Sequence, residues 1–597
     1  MNRLRSIHIL LAAGLLASVA AFATEVPPAS LRCENFTGSS TPIGYCSNGR
    51  YFCMGTTALR PLVGVSADAA CHIPLADTNI CNRANAQEVI NSIDNQNLNK
   101  MRLWVSLAGT SPVTSGTTFS AYPFVLVPAS GPTPAYWRLD RVNEVYFDKL
   151  ENVVDFARGK DITLEATFFA PGEGTFPGGP WDNAKGKVCV NSSGVFQPSD
   201  TTCTLPGNTL QNAGFSDQSY FARTAADPVN GNRPRQVQKD LIKWTVDRLW
   251  CYDNVYWEIA NEPEGTPSLV SAWHADLANH TATLDNARVG LTPGLTRRHR
   301  IAVNPSNTTT NYLTMANVDV VNGHYTEIYS PRGNMGAMQL IRGSGISAFN
   351  AGKLLGFNET KISALPLDNA VTLPPVFDSV LSTDVGGPDS GRAEGWEFMV
   401  NRGAAYDHWG YRHDSAVGQD VRVQMGHLRT FIAGLPLADL RRTPADGSVT
   451  HPAWLPNLQD WGFYRTGKSA RIFWAALEPA STATTRVYVL YIHNSLRRCQ
   501  SGTDSLSGCT SGNLPLNGYS PQIGLAKYQE TLQLSLTPGK SYTVEWIRPK
   551  DRASLQAPFT LTYNADNTCT GGFSPLPCQI RSPKYDFDVV LKLTQIN

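Results

Sequence analysis

An amide and a carboxylate stand together at the end of a strand-like run, in the segment 257–263 with the sequence WEIANEP. Cleavage of a glycosidic bond needs a carboxyl group that donates a proton to the leaving oxygen, and a neighbouring amide can bind the sugar 2-hydroxyl. We therefore interpret Glu262 as an acid/base group and Asn261 as a sugar ligand. The alternative is an Asn-Glu-Pro turn that caps a helix.

The elements that position these residues can be predicted from the rest of the sequence. Strand-like and helix-like runs alternate from about residue 50 to 440. Strands are predicted at 101–105, 162–169, 255–259, 301–304, 318–322, 376–382 and 404–409. Repeated strand–helix units predict a parallel sheet with right-handed crossovers, and roughly eight of them fit an α/β fold of the (β/α)8 TIM-barrel type. An open doubly wound sheet is the alternative, but no glycine-rich phosphate turn follows the first strand.

The pattern changes after about residue 445. Short strands separated by Gly, Pro and Ser turns follow, which is typical of an antiparallel β-sandwich. The predicted division is a signal peptide at 1–23, a catalytic barrel domain at 24–445 and a C-terminal β-sandwich at 446–597. A long insertion at 171–216 follows the third strand, and in a barrel this loop lies at the C-terminal face, where ligands bind.

The N-terminus predicts export. Arg3 and Arg5 precede an apolar run from Ile7 to Ala21, and residues 21–23 have the A-x-A form that signal peptidase cleaves. We interpret residues 1–23 as a removed signal peptide and expect a secreted or periplasmic protein. A membrane anchor is the alternative, but the run is shorter than the ~20 apolar residues that span a bilayer.

The composition excludes several kinds of partner. The chain has 50 Lys and Arg against 49 Asp and Glu, and only 17% of its residues are charged. It offers no basic field for nucleic acid and no polybasic patch for a membrane surface. We expect a monomer that acts on an oligo- or polysaccharide without a cofactor.

The 12 cysteines are expected to form disulfides, as is usual after export. Five pairs would each close a short loop: Cys33 with Cys46, Cys71 with Cys81, Cys189 with Cys203, Cys499 with Cys509, and Cys569 with Cys578. Cys53 and Cys251 are then either paired or buried as thiols. The chain has no C-x-x-C pair and no H-E-x-x-H motif, so no metal site is predicted.

One motif match is misleading. The octapeptide 462–469, GFYRTGKS, fits the phosphate-binding P-loop pattern. A P-loop must lead into a helix whose N-terminus holds the phosphate. The residues at 470–477 are apolar and aromatic and predict a strand instead, so we interpret the match as chance.

The chain resembles clan A, the large clan of retaining (β/α)8 glycoside hydrolases that includes cellulases and mannanases. That clan carries Asn-Glu-Pro after its fourth strand, matched here by Asn261, Glu262 and Pro263. The resemblance covers most of residues 45–597, because 403–411 and the C-terminal strands resemble a subgroup whose β-sandwich is named for collagen binding.

The same resemblance assigns supporting residues around the carboxylates. It implies that Arg102 on the second strand steadies the nucleophile and that His324 and Tyr325, after the sixth strand, face it. Trp409 matches the tryptophan that ends the eighth strand of the clan. A buried histidine in a purely structural role is the alternative for His324.

The nucleophile of the clan is a glutamate at the end of the seventh strand. With the seventh strand predicted at 376–382, the carboxylate at that place is Asp384, which is one methylene shorter. Retaining enzymes hold their carboxyl groups ~5–5.5 Å apart and inverting ones ~6.5–9.5 Å, so the shorter side chain leaves both outcomes open. A turn residue before Gly386 is the alternative for Asp384, and Glu394 and Glu397 are the next carboxylates.

We therefore predict an exported glycoside hydrolase that cleaves O-glycosidic bonds with a carboxylate pair. The alternatives are a catalytically decayed carbohydrate-binding protein on the same barrel and an adhesion protein that works through its sandwich. Trp181 lies in a glycine-rich loop and is a candidate for stacking on a sugar ring, unless it packs the insertion. The loops would set the sugar, the linkage and the choice between endo and exo action.

Overall fold

The structure of the protein is a computed structural model. It describes residues 44–45, 51–54, 58–66, 86–106, 122–169, 180–182, 184–197, 203, 205–214, 232–261, 263, 267–291, 297–304, 310–324, 352–361, 387–409, 416–442, 451–458, 463–464, 471–499, 515–521, 523, 528–575 and 577–596. The predicted signal peptide at 1–23 lies outside these residues.

Eight parallel strands form a closed barrel, in which each strand pairs with the next along the chain and the last pairs with the first. They are β1 (Leu62–Ser66), β2 (Lys100–Trp104), β3 (Thr163–Phe169), β4 (Val255–Ala260), β5 (Ile301–Val303), β6 (Val320–His324), β7 (Leu354–Lys361) and β8 (Ala405–Trp409). This confirms the (β/α)8 fold. The strands read as apolar runs because their outer faces are covered by helices.

The helices follow the strands as a barrel requires. They are α1 (Ala86–Asn95), α2 (Glu144–Gly159), α3 (Arg233–Leu249), α4 (Pro267–Asn286), α5 (Thr310–Leu313), α6 (Gly387–Val400) and α7 (Ala416–Ala433). Asn143 caps α2 by accepting a hydrogen bond from the backbone N–H of Tyr146. Three apolar residues of α1 at helical spacing, Val89, Ile90 and Ile93, are all buried.

The seventh strand is not where the sequence predicted it. β7 is Leu354–Lys361, and it pairs with β6 on one side and β8 on the other. The assignment of the seventh strand to 376–382 is therefore wrong, because its place in the barrel is occupied. Residues 362–386 lie outside the described part of the chain.

The loops after β2 and β3 build a second sheet. Its strands are Phe124–Val127, Tyr136–Val142, Gly186–Val190 and Thr209–Asn212. The disulfide Cys189–Cys203 ties the hairpin formed by the last two strands, as predicted. A smaller sheet of Gly44–Tyr45, Phe52–Met54 and Ala58–Arg60 precedes β1, and its Phe52 packs among the apolar residues at the amino end of the barrel.

An antiparallel sheet follows the barrel, together with a two-stranded sheet of Thr531–Gln533 and Gln579–Arg581. The strands of the large sheet are Leu440–Arg442, Phe463–Tyr464, Arg471–Pro479, Val487–Cys499, Pro515–Pro521, Lys540–Ile547, Phe559–Tyr563, Cys569–Thr570 and Asp588–Gln595. This agrees with the predicted β-sandwich. The strand Arg471–Pro479 follows the P-loop-like octapeptide directly, so that motif leads into a strand, as the sequence indicated.

The described cysteines support an oxidising environment. The disulfide Cys569–Cys578 is present as predicted, Cys53 and Cys251 are also disulfide-bonded, and none of the described cysteines is a free thiol. Each remaining predicted pair has at least one cysteine outside the described residues. Within the part of the chain that the structure describes, no helix is long and apolar enough to cross a membrane.

Candidate active site

Charged and polar side chains fill the middle of the barrel. Lys100 and Arg102 on β2 alternate with buried apolar neighbours, and the same alternation brings Glu165 on β3 and Glu258 on β4 to the inside, where the four side chains meet. TIM-barrel interiors are usually filled by branched apolar residues. Buried charges are costly unless they are paired, and here each cation lies against a carboxylate.

Arg102 binds two residues of the segment 257–263, at the carboxyl end of β4. Its Nε lies 2.7 Å from Oε2 of Glu258, and its Nη2 donates to Oδ1 of Asn261 over 2.9 Å. Thr167 on β3 donates to the same Glu258 oxygen over 2.6 Å. Because Arg102 is fully buried, its planar fork holds the end of β4 in one orientation.

Lys100 forms a second cluster. Its Nζ lies 2.6 Å from Oε2 of Glu165, contacts Oδ2 of Asp407 on β8 and donates to Oδ1 of Asn358 on β7 over 3.0 Å. The amide of Asn322 on β6 joins the two clusters, because it donates to Glu165 over 2.5 Å and to Glu258 over 2.8 Å. A side chain at Gly356 would overlap the Asn322 amide, so the glycine makes room for this link.

The interior holds more carboxylates than cations. Glu165, Glu258 and Asp407 face Lys100 and Arg102. Burial raises the pKa of Glu258, an effect that Arg102 opposes and Glu165 reinforces. Burial by itself would lower the pKa of Lys100, but Asp407 and Glu165 raise it above its ordinary value. Lys100 is therefore a permanent cation beneath the barrel mouth.

The Asn-Glu-Pro motif lies at the carboxyl end of β4. Asn261 directly follows the strand, is buried, and its backbone N–H donates to the carbonyl of Phe169 at the end of β3 over 2.8 Å. Pro263 is also buried, whereas Glu262 lies outside the described residues. The structure therefore fixes both chain neighbours of Glu262 at the C-terminal face, where barrel active sites lie.

A glutamate stands in the last part of β7, at a β-bulge. Phe357 pairs with Tyr406 and Thr360 pairs with His408, so Asn358 and Glu359 together oppose Asp407. The Asp407 side chain points into the barrel, where it meets Lys100. In a regular ladder Glu359 would oppose His408 instead, so the extra residue shifts its register position by one.

Two further predicted site residues, His324 and Trp409, lie at the carboxyl ends of barrel strands. His324 is the last residue of β6 and Trp409 the last of β8, and the structure describes their backbones. Tyr325 and Asp384 lie outside the described residues. The two carboxylates considered after Asp384, Glu394 and Glu397, belong to helix α6 and are buried.

Trp181 lies beneath the second sheet, away from solvent. Its side chain is only 1% exposed, and its indole N–H donates to Oγ of Ser106 over 2.9 Å. Phe124 and Phe169 pack against its ring edge-on, with centroids 5.3 and 6.0 Å away. The structure therefore places Trp181 in the packing position that the sequence left open as the alternative to a sugar platform.

Comparison with known proteins gives the fold a context. No family model matches this chain, and no curated protein does. Among solved structures, a candidate glycoside hydrolase from Bacteroides vulgatus is 14% identical with a TM-score of 0.50, covering 94% of this chain and 83% of its own. A family 5 glycoside hydrolase from the same organism is 11% identical with a TM-score of 0.48, covering 93% and 95%.

A third similar structure is a family 5 mannosidase from Rhizomucor miehei. It is 12% identical with a TM-score of 0.42, and the alignment covers 66% of this chain and 99% of the mannosidase. The likeness to the candidate glycoside hydrolase from Bacteroides vulgatus, at a TM-score of 0.50, shows a shared fold. The structural neighbours of the chain are thus glycoside hydrolases.

Sequence reasoning missed Glu359 and the charged interior. The signal for Glu359 was present, since the apolar run at 354–357 ends in Asn358 and Glu359, just as the fourth strand ends in Asn261 and Glu262. The signal for the interior was the recurrence of charge at every second position of otherwise apolar strands, as in Lys100 and Arg102. In the residues that the structure describes, no group of His, Cys, Asp and Glu has the arrangement of a metal site.

Proposed function

We propose that this protein is an exported glycoside hydrolase that cleaves O-glycosidic bonds of an oligo- or polysaccharide with two glutamates. Glu262, after β4, is the acid/base. Glu359, at the end of β7, is the nucleophile and replaces Asp384 in that role. The observation that carries the proposal is the closed barrel in which Asn-Glu directly follows β4 and a second Asn-Glu lies in the last four residues of β7.

The chemistry follows from where the two strands end. Glu262 would give its proton to the leaving oxygen while Glu359 attacks the anomeric carbon from the other side. Water then hydrolyses the glycosyl-enzyme, with Glu262 acting as the base. Arg102 holds Asn261, so the amide next to Glu262 is oriented before substrate arrives.

The proposal also removes the main reason to regard the protein as a decayed enzyme. That alternative rested on an aspartate in place of the nucleophile glutamate. With the seventh strand at Leu354–Lys361, a glutamate is available at that position. The described disulfides are typical of exported proteins and favour a secreted or periplasmic location.

The test is a screen of the full chain on chromogenic glycosides and on plant, fungal and bacterial polysaccharides, followed by variants on the best substrate. Glu262→Gln keeps size but removes the acid, so the rate with a poor leaving group should fall by ~10²–10⁴, and less with an activated aryl leaving group. Glu359→Gln should be inactive with both. Proton NMR of the first anomer released should show retention.

Glu88→Gln on helix α1 is the matched control, since it makes the same change at an exposed helix residue outside the barrel strands. It should keep the wild-type rate. Full activity of Glu262→Gln on the natural substrate would end the proposal for Glu262, and an inverted product would end the assignment of Glu359 as nucleophile.

A further inference from the structure

We propose that Lys100 and Asn358 are positioning residues that fix the direction of Glu359 at the bulge of β7. This inference rests on the proposed function, because it concerns the glutamate assigned there as nucleophile. It starts from the bulge, where two residues of β7 oppose one residue of β8. A bulge interrupts the backbone ladder, so the bulged segment needs other contacts to hold one conformation.

The contacts at this bulge come from side chains. Asn358 accepts a hydrogen bond from Lys100 over 3.0 Å and donates to both carboxylate oxygens of Glu165 over 3.1 and 3.2 Å. Lys100 also binds Asp407, the residue that faces the bulge from β8. One ammonium group therefore holds both sides of the bulge.

We call the four side chains of Lys100, Glu165, Asn358 and Asp407 the clamp. The clamp is rigid because it is closed to water. Lys100, Glu165, Asn358 and Asp407 are all fully buried. A buried polar group that leaves its partner finds no water to replace it, so each of these side chains has one favourable position. The clamp joins β2, β3, β7 and β8, and Glu359 is the next residue after Asn358.

Stability alone does not explain this arrangement. Buried ion pairs often contribute no more than apolar residues of the same size, and an apolar filling is the usual one for a barrel. A catalytic carboxylate, in contrast, must be held to a fraction of an ångström, and a misplacement of ~1 Å costs about 10²-fold in rate. The clamp holds Asn358, the residue that precedes Glu359, and so it can supply this precise positioning.

The experiment compares two Asn→Leu variants of the full chain on an activated aryl glycoside. Asn358→Leu removes the hydrogen bonds of Asn358 to Lys100 and Glu165 without changing the net charge. Asn254→Leu also removes two buried hydrogen bonds, those to the carbonyls of Val154 and Ile162, but it lies at the amino end of β4. Both should lose stability, and only Asn358→Leu should lose about 10²-fold in kcat with little change in KM.

A second variant keeps the test decisive if Asn358→Leu does not fold. Lys100→Met combined with Glu165→Gln removes one cation and one anion, and it should show the same loss of kcat. Wild-type kcat in a folded clamp variant overturns the inference while the proposed function stands. Full activity of Glu359→Gln, or no activity of the wild type on any glycoside, overturns the proposed function and the inference with it.

Discussion

At the residue scale, the charged side chains inside the barrel are paired, but a buried amide at the end of β5 is not. Asn304 follows β5 and is fully buried, and neither its amide oxygen nor its amide nitrogen has a hydrogen-bond partner. It is alone in this respect among the described side chains. Asn99, buried at the amino end of β2, is its opposite, since it donates to the carbonyl of Pro61 and accepts from the N–H of Val63.

The first prediction contrasts these two asparagines. Asn304→Leu should raise the free energy of unfolding by about 1–3 kcal/mol, because it removes an amide that is desolvated without compensation. Asn99→Leu should lower the free energy of unfolding, because it leaves a buried N–H and a buried carbonyl without a hydrogen-bond partner. Denaturant unfolding of both variants provides the measurement. A loss of stability in Asn304→Leu would show that its amide is hydrogen-bonded in solution.

At the element scale, the decisive feature is the identity of the seventh strand. The segment 376–382 is apolar enough to form a strand, but Leu354–Lys361 completes the barrel. Its bulge sets both Asn358 and Glu359 opposite Asp407, which a regular ladder would not do. The proposed move of the nucleophile from Asp384 to Glu359 therefore follows from strand topology and leaves the chemistry of the reaction unchanged.

The second prediction follows from this strand assignment. Asp384→Asn should keep the wild-type kcat and product anomer, whereas Glu359→Ala should reduce the rate to the background of the assay. Added azide should restore turnover of an activated substrate by Glu359→Ala and give the glycosyl azide of the opposite anomer, because a small anion can enter the space of the missing nucleophile. If Asp384→Asn is the inactive variant, the assignment of Glu359 is wrong.

At the scale of the whole molecule, the barrel and the C-terminal sheet share one apolar core. Ala475, Leu477, Tyr491 and Val590 of the sheet belong to the same buried cluster as the barrel helices, and Tyr491 stacks on Trp396 of α6 with centroids 5.7 Å apart. Such a contact supports a stabilising role for the sheet. An ion pair also joins the barrel to the sheet, because Arg392 of α6 binds Asp588 over 2.7 Å.

The third prediction tests that contact. Arg392→Met should lower the free energy of unfolding by about 3–5 kcal/mol, because it leaves Asp588 buried and without its main cation. Arg548→Met is the control on the same sheet, since Arg548 pairs with Asp551 while both side chains remain more than 40% exposed. The control should change stability by less than ~1 kcal/mol. Equal effects in calorimetry would mean that Arg392 is not buried at an interface.

The sequence by itself determined the fold class, the change to an antiparallel sheet, two disulfides and the position of the Asn-Glu-Pro motif after β4. These follow from short-range patterns, such as apolar periodicity, turn residues and closely spaced cysteines. Six of the barrel strands lie where that periodicity placed them, with ends that differ by only a few residues.

Only the tertiary structure decided which apolar run is the seventh strand and which polar residues meet inside the barrel. Strand pairing joins residues far apart in the chain, such as Lys100 and Asp407, and no local pattern encodes it. The bulge at Asn358 and Glu359 is likewise a property of the pairing between two strands. The same physical reason applies to Trp181, whose loop suggested exposure but whose neighbours on β3 and the second sheet bury it.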